Sequence, residues 1–233
     1  MSFNRAIAKR GMRLGLLYVV LSFFLAGLGI VFSVAGSFLP ADLNTNGSPV
    51  DVNAYISLLP VPIVGIAGLM AATPVSLLFV HDKENGTLEY LLSMGFDQRD
   101  VFRAYLAASL MLGLPSLVVG GAASGIVALA LGRGLDVAGT ILVCSLALGI
   151  AVVALVTVLM SAFTALQRQP MGMNQPLGIA IGAFVLVGAL MAPLAAGSLA
   201  LVFELVISAI VAAISLSLLA MTPTLIRREK MLP

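Results

Sequence analysis

Apolar residues in this chain fall in long unbroken runs. They show neither the strict alternation of a half-buried strand nor the narrow stripe of a surface helix. No charged side chain occurs at 14–41, 52–81, 104–132 or 137–167, and the stretch 169–226 is interrupted only by Glu204. A helix needs about 20 apolar residues to cross a hydrocarbon core roughly 30 Å thick. Each of the first four gaps holds one such helix. The last is too long for one and right for two, with Pro193 and Ala195-Ala196-Gly197-Ser198 as the natural turn. The predicted spans are 14–39, 54–80, 101–131, 137–166, 177–195 and 199–221. The expected fold class is an all-α integral membrane protein, a single six-span unit covering 1–233.

Charge sets the orientation. With the N-terminus in the cytoplasm, the inner segments carry Arg5, Lys9, Arg10, Arg13, Lys83, Arg99, Arg103, Arg168, Arg227, Arg228 and Lys230. The outer segments carry only Arg133. Basic residues accumulate on the cytoplasmic side, so both termini are expected inside a multi-pass protein of the cell membrane. Composition agrees, since charged residues are 9% of the chain, against about 25% in soluble domains. A net charge of +2 is not that of a nucleic-acid binder. Residues 1–13 are basic and lead into an apolar run, as in a signal peptide, but 14–39 far exceeds the roughly 7–15 residues of a signal core. An uncleaved first span is the expectation.

Little chemistry is available to such a chain. One cysteine, Cys144, and one histidine, His81, cannot build a metal site alone. Cys144 lies in an apolar run and reads as a buried thiol; His81, beside Asp82 at the inner boundary, reads as a solvated residue. No nucleophile–base pair stands out, so an enzyme is not expected. The outer loops at 41–53 and 132–136 are too short for a soluble domain, and Asn46-Gly47 marks a turn in the first. The largest piece outside the spans is the inner loop 81–100. There Asn85-Gly86 breaks the chain and Thr87 is suited to cap a short helix. Leu88, Leu91 and Leu92 fall on one face at i, i+3 and i+4. Glu84 and Glu89 lie near its N-terminal end, where the helix dipole favours acids. Gly95 ends the helix and Asp97 is placed to cap the next. Acids outnumber bases here, which disfavours contact with anionic lipid. The loop either docks in a hydrophobic groove of a protein partner or is a solvated connector.

The string Glu84-Asn85-Gly86-Thr87-Leu88-Glu89-Tyr90-Leu91-Leu92 resembles the E-x-G-T-L-E-x-L-L signature of type-2 ATP-binding cassette permeases, the membrane subunits of ABC exporters. In that family the signature lies in the first cytoplasmic loop, between spans two and three, as it does here. The resemblance covers nine residues closely, and the whole chain only through span count and loop order. Met94-Gly95 stands where the family usually has a proline. The resemblance implies six spans with both termini inside, and a coupling helix at 84–92 that docks on a cytoplasmic ABC ATPase. No G-x-x-x-x-G-K-[ST] pattern occurs in the chain. ATP and Mg would therefore belong to that separate subunit, with no cofactor in this chain. A second permease half is also implied, either another copy or a related chain. The absence of an outer domain to receive a binding protein favours export.

Three further features invite a role. Arg5, Lys9 and Arg13 recur at i, i+4 and i+8, beside Arg10 and opposite Phe3, Ala6 and Ile7. This pattern reads as an interfacial helix over 1–13 that meets lipid headgroups, or as charge that only fixes topology. Relatives of the resembled family often carry such a helix against the ATPase. Glu204 is a candidate pathway residue, because an acid near the membrane centre costs on the order of 3 kcal/mol; alternatively it lies at headgroup level near the outer turn. Gly121-x-x-x-Gly125 and Gly178-x-x-x-Gly182 permit close helix approach. Pro60, Pro62 and Pro74 punctuate span two. The expected function is the permease subunit of an ATP-driven exporter. The rivals are a non-transporting assembly or cofactor-maturation factor on the same scaffold, and a secondary transporter or channel.

Overall fold

A computed structural model of the chain describes residues 3–37, 44–45, 48–49, 60–132, 134–166, 182, 185 and 200–225. These are almost wholly helical: α1 Phe3–Leu14, α2 Leu16–Ser37, α3 Pro60–Glu84, α4 Thr87–Ser93, α5 Gln98–Ala130, α6 Leu135–Leu166 and α7 Ala200–Leu225. A minimal antiparallel pair, β1 Asn44–Thr45 and β2 Ser48–Pro49, flanks positions 46–47. Helices α3, α5, α6 and α7 are each long and apolar enough to cross a membrane, and the bent pair α1–α2 makes five if it is taken as one span. The expected span 177–195 lies outside the described residues, apart from Gly182 and Val185.

The helix expected over 1–13 and the span expected over 14–39 are found as α1 and α2, and the chain bends by 86° between them. Gly15 sits at the bend, and a Cβ there would come within 2.4 Å of the Pro74 ring. The close approach of α3 thus requires a glycine, and the amphipathic α1 runs across the bundle rather than along it. Span two ends later than predicted, at Glu84 rather than 80. Helix α3 carries Asp82 and Lys83 inward, where both are buried.

Helix α3 is the centre of the bundle. Within its most apolar window 78% of residues are buried, against 22% for α7, which therefore lies at the periphery. A helix apolar on every side is suited to enclosure, and small residues let its neighbours approach. Leu117 of α5 shows how, since it is fully buried between Gly68 of α3 and Gly149 of α6. A Cβ on either glycine would fall within 2.5 Å of the Leu117 side chain. Gly121 and Gly125 of α5 lie against α6: a Cβ on Gly121 would meet Leu142 and Ser145, and one on Gly125 the Ala138 carbonyl. Gly182 faces Val156, Leu69 and Val152, and Gly178 lies outside the described residues.

Two apolar clusters hold the bundle. One packs Cys144, Leu148, Val152 and Val156 of α6 against Val61 and Leu69 of α3 and Val211 of α7. The other joins Ile7 and Ala8 of α1, Leu78 and Phe79 of α3, Leu88 and Leu92 of α4, and Phe102 and Tyr105 of α5. Within it Phe79 meets Tyr105 edge-on at 5.0 Å and Phe102 at 5.4 Å. This second cluster fixes the end of the bundle where α1, α4 and the loops around them gather.

Candidate functional site

The site is built where α3 stops. Gly86 adopts φ 69° and Gly95 φ 90°, left-handed conformations that glycine takes without steric penalty. Between them α4 is a two-turn helix with sharp ends. Gly86 itself is the N-cap residue, its carbonyl accepting the Tyr90 N–H at 3.0 Å. Thr87, expected to cap the helix, is instead its first residue. Asp97 does stand at the N-cap of α5, in extended conformation, and serves through its carbonyl rather than its side chain.

The leucine face of α4 points inward. Leu88 is 1% exposed, Leu92 is buried and Leu91 is partly buried, all against the apolar cluster just described. The expectation that these three leucines form the outward docking face is corrected by this packing. The helix packs on the end of α3, and its leucines join one apolar cluster with residues of α1, α3 and α5, cover that a partner was expected to supply. What α4 presents outward is Glu89, Tyr90 (63% exposed) and Ser93, continued by Glu84 before it and Met94 after it. Phe96 stacks on Phe3, centroids 5.4 Å apart, and ties the loop to the N-terminus.

Beneath α4 lies a polar knot that was not read from the sequence. Asp82 is fully buried. Arg10 donates to it from Nη2 to Oδ1 at 2.6 Å and from Nη1 to Oδ2 at 3.3 Å. The Tyr105 hydroxyl donates to Oδ2 in a short hydrogen bond. Next to it Lys83 Nζ donates to the carbonyls of Thr164 at 2.6 Å and Ala165 at 3.3 Å. These belong to the last turn of α6, where carbonyls lack helical partners and the dipole favours a cation. Two adjacent residues of α3 thereby link α1, α5 and α6. Such a pairing leaves only a weak sequence signal, an Asp-Lys pair inside an otherwise apolar helix end. His81 is exposed and within 2.9 Å of Asn85. Arg5, Lys9 and Arg13 are exposed along one side of α1, whereas Arg10 turns to Asp82.

Glu204 is not solvated. It is 1% exposed, in the seam between α6 and α7 near Cys144, and among the described residues neither carboxylate oxygen has a hydrogen-bond partner. Glu204 is thus covered by the protein's own helices. Ser208 and Ser215 are also buried on α7, their hydroxyls donating to carbonyls one turn back.

These features define a polytopic helical membrane protein whose short loop helix is packed on the end of α3, with the loop after it tied to the N-terminal helix through Phe3 and Phe96. Compared with known families, curated proteins and solved structures, the chain finds no match.

Proposed function

We propose that this chain is the membrane-spanning permease subunit of an ATP-driven transporter, probed by its ATPase at α4. The observation that carries the reading is α4 itself. It is a short rigid helix, clamped by its own leucines between two membrane-crossing helices, at the position and with the residues of the coupling-helix signature. A helix so held transmits a push into α3 and α5 rather than absorbing it. Of the outward side chains Glu84, Glu89, Tyr90 and Met94, the tyrosine and the methionine are of types enriched at protein interfaces, and the two acids suit orientation of a partner by charge. In this reading the apolar face belongs to the fold and the outward face to the partner.

The seven described Lys and Arg residues all lie on α1, at the end of α3 or at the start of α5, the same end of the bundle as α4. Their clustering favours that end as cytoplasmic, with six spans and both termini inside. ATP and Mg would be bound by the partner, and a second permease half would complete the pathway, in the direction of export. The test is reconstitution of the chain with each ATP-binding cassette subunit encoded in the same genome. The expected result is ATP hydrolysis stimulated by the chain in liposomes and lost on Tyr90→Ala with Glu89→Lys. Stimulation by no such subunit would sink the reading.

The buried, unpartnered Glu204 favours a second reading, a secondary transporter or channel, since intramembrane acids mark ion and proton paths. Ion flux that needs Glu204 and proceeds without ATP would establish it.

A further inference from the structure

The right angle between α1 and α2 leaves a concave corner, closed at the back by α5. The cavity there has a volume of about 490 Å³, within the range of small-molecule clefts. Its walls are of two kinds. Arg5 and Lys9 of α1, both exposed, stand on one side, while Met12, Phe23, Met111 and Pro115 supply apolar lining. Among the described residues no acidic side chain lines it. Asp82, the acid that binds α1, is already engaged by Arg10 and Tyr105.

We infer that this corner is a binding site for one anionic phospholipid, its phosphate held by Arg5 and Lys9 and an acyl chain lying along Phe23, Met111 and Pro115. Charge and shape each contribute to the choice. A pair of cations with no acid among the lining residues selects an anionic group, and basic pockets at the membrane surface take lipid phosphates. The helix α1 stands at 86° to α2, with its apolar side packed on α3 and α5, and a basic amphipathic helix of this kind suits a headgroup surface. The apolar wall is drawn from α2 and from α5, which is long and apolar enough to cross a membrane, so it suits an acyl chain. A soluble anion would use the two cations and leave the apolar wall bare. A neutral lipid would cover the wall and leave two cations without a phosphate of unbalanced charge.

The test is native mass spectrometry of the full chain released from detergent micelles doped with phosphatidylglycerol or phosphatidylcholine. One phosphatidylglycerol is expected to be retained in preference to phosphatidylcholine. Neutralising a basic side chain at an anionic surface weakens binding roughly fivefold, so Arg5→Gln with Lys9→Gln is expected to lower phosphatidylglycerol retention about thirtyfold. Phosphatidylcholine retention should not change. Val19→Trp fills the apolar wall without altering charge and is expected to lower retention of both lipids. Arg13→Gln removes an exposed cation of α1 that does not line the corner, and is expected to stay within about twofold of the parent chain. The proposal is overturned if Arg13→Gln matches the Arg5/Lys9 pair, which would mean diffuse surface charge. It is equally overturned if the anionic preference survives their neutralisation, or if Val19→Trp has no effect. The altered side chains are exposed or half-buried, and unchanged helicity by circular dichroism verifies that each variant keeps the bundle.

Discussion

Exchanging single side chains on opposite faces of α4 separates what holds the helix from what it presents. Leu88 is 1% exposed and belongs to the apolar cluster that includes Leu78, Phe79 and Tyr105. Truncating a fully buried leucine costs about 2–5 kcal/mol, the spread depending on how far the cavity collapses. Tyr90, 63% exposed, makes no such contact, and surface substitutions of this kind stay within about 0.5 kcal/mol. At an interface the ranking reverses, because a tyrosine anchor is worth about 2 kcal/mol or more, roughly thirtyfold in affinity. Leu88→Ala should therefore lower the melting temperature in detergent, with partner binding weakened only as far as α4 loosens. Tyr90→Ala should leave the melt unchanged and weaken the ATPase complex about thirtyfold. Both are read on purified chain, by thermal melting of the helical signal and by titration with the ATPase. If Leu88→Ala melts like the parent and still strips the partner away, the leucine face is the docking face and the inward packing described above is wrong.

Gly149→Val should destabilise the bundle by about 1–3 kcal/mol through overpacking on Leu117, and Leu117→Ala should recover part of that loss; additive costs in a double-mutant melt would refute the three-helix contact. Asp82→Ala frees Arg10 and Tyr105 together. Because Arg10 is half exposed and rehydrates, the cost should be about 3 kcal/mol or less, read as faster tryptic cleavage within α1. Glu204→Met replaces an unpartnered buried carboxylate and should raise stability by about 1–3 kcal/mol; a lower melting point would reveal a bonding partner that the described residues do not contain. Reporters fused to both termini should label from one side of the membrane and a reporter in the 41–53 loop from the other.

Four of the predicted spans, found as α3, α5, α6 and α7, were legible because hydrophobic length is a local property. The run ending at Leu166 was placed by the charges that flank it, and the start of α5 was found to within three residues. The fate of the charges at helix ends was not legible. Asp82 and Lys83 read as a boundary because nothing nearby in sequence could neutralise them, yet their partners lie at Arg10, Tyr105 and Thr164, as far as 81 residues away. The leucines of α4 failed for a related reason. Periodicity tells that one face is apolar, but whether that face meets the chain's own helices or another protein depends on how α1, α3 and α5 pack. The break at Gly15 was legible as the change from a basic segment to an apolar run at 13–14, but its right-angle bend was not. Glu204 was visible as an anomaly, and its burial became visible only with the packing of α7 on α6.

The docking of α1 also imposes an order on biogenesis. Its partners are all made after it, and Arg10 precedes Asp82 by 72 residues. At about 5–20 residues per second, synthesis of that interval takes roughly 4–14 s, and Tyr105 and Phe96 arrive later still. Through this time the newborn N-terminus has nothing to fold against, and its two-sided character leaves the lipid surface as its resting place. Only when the third crossing has emerged can α1 be pulled onto the bundle. Locking α1 thus waits on the synthesis of α5, and a chain cut short before α5 would display it unlatched.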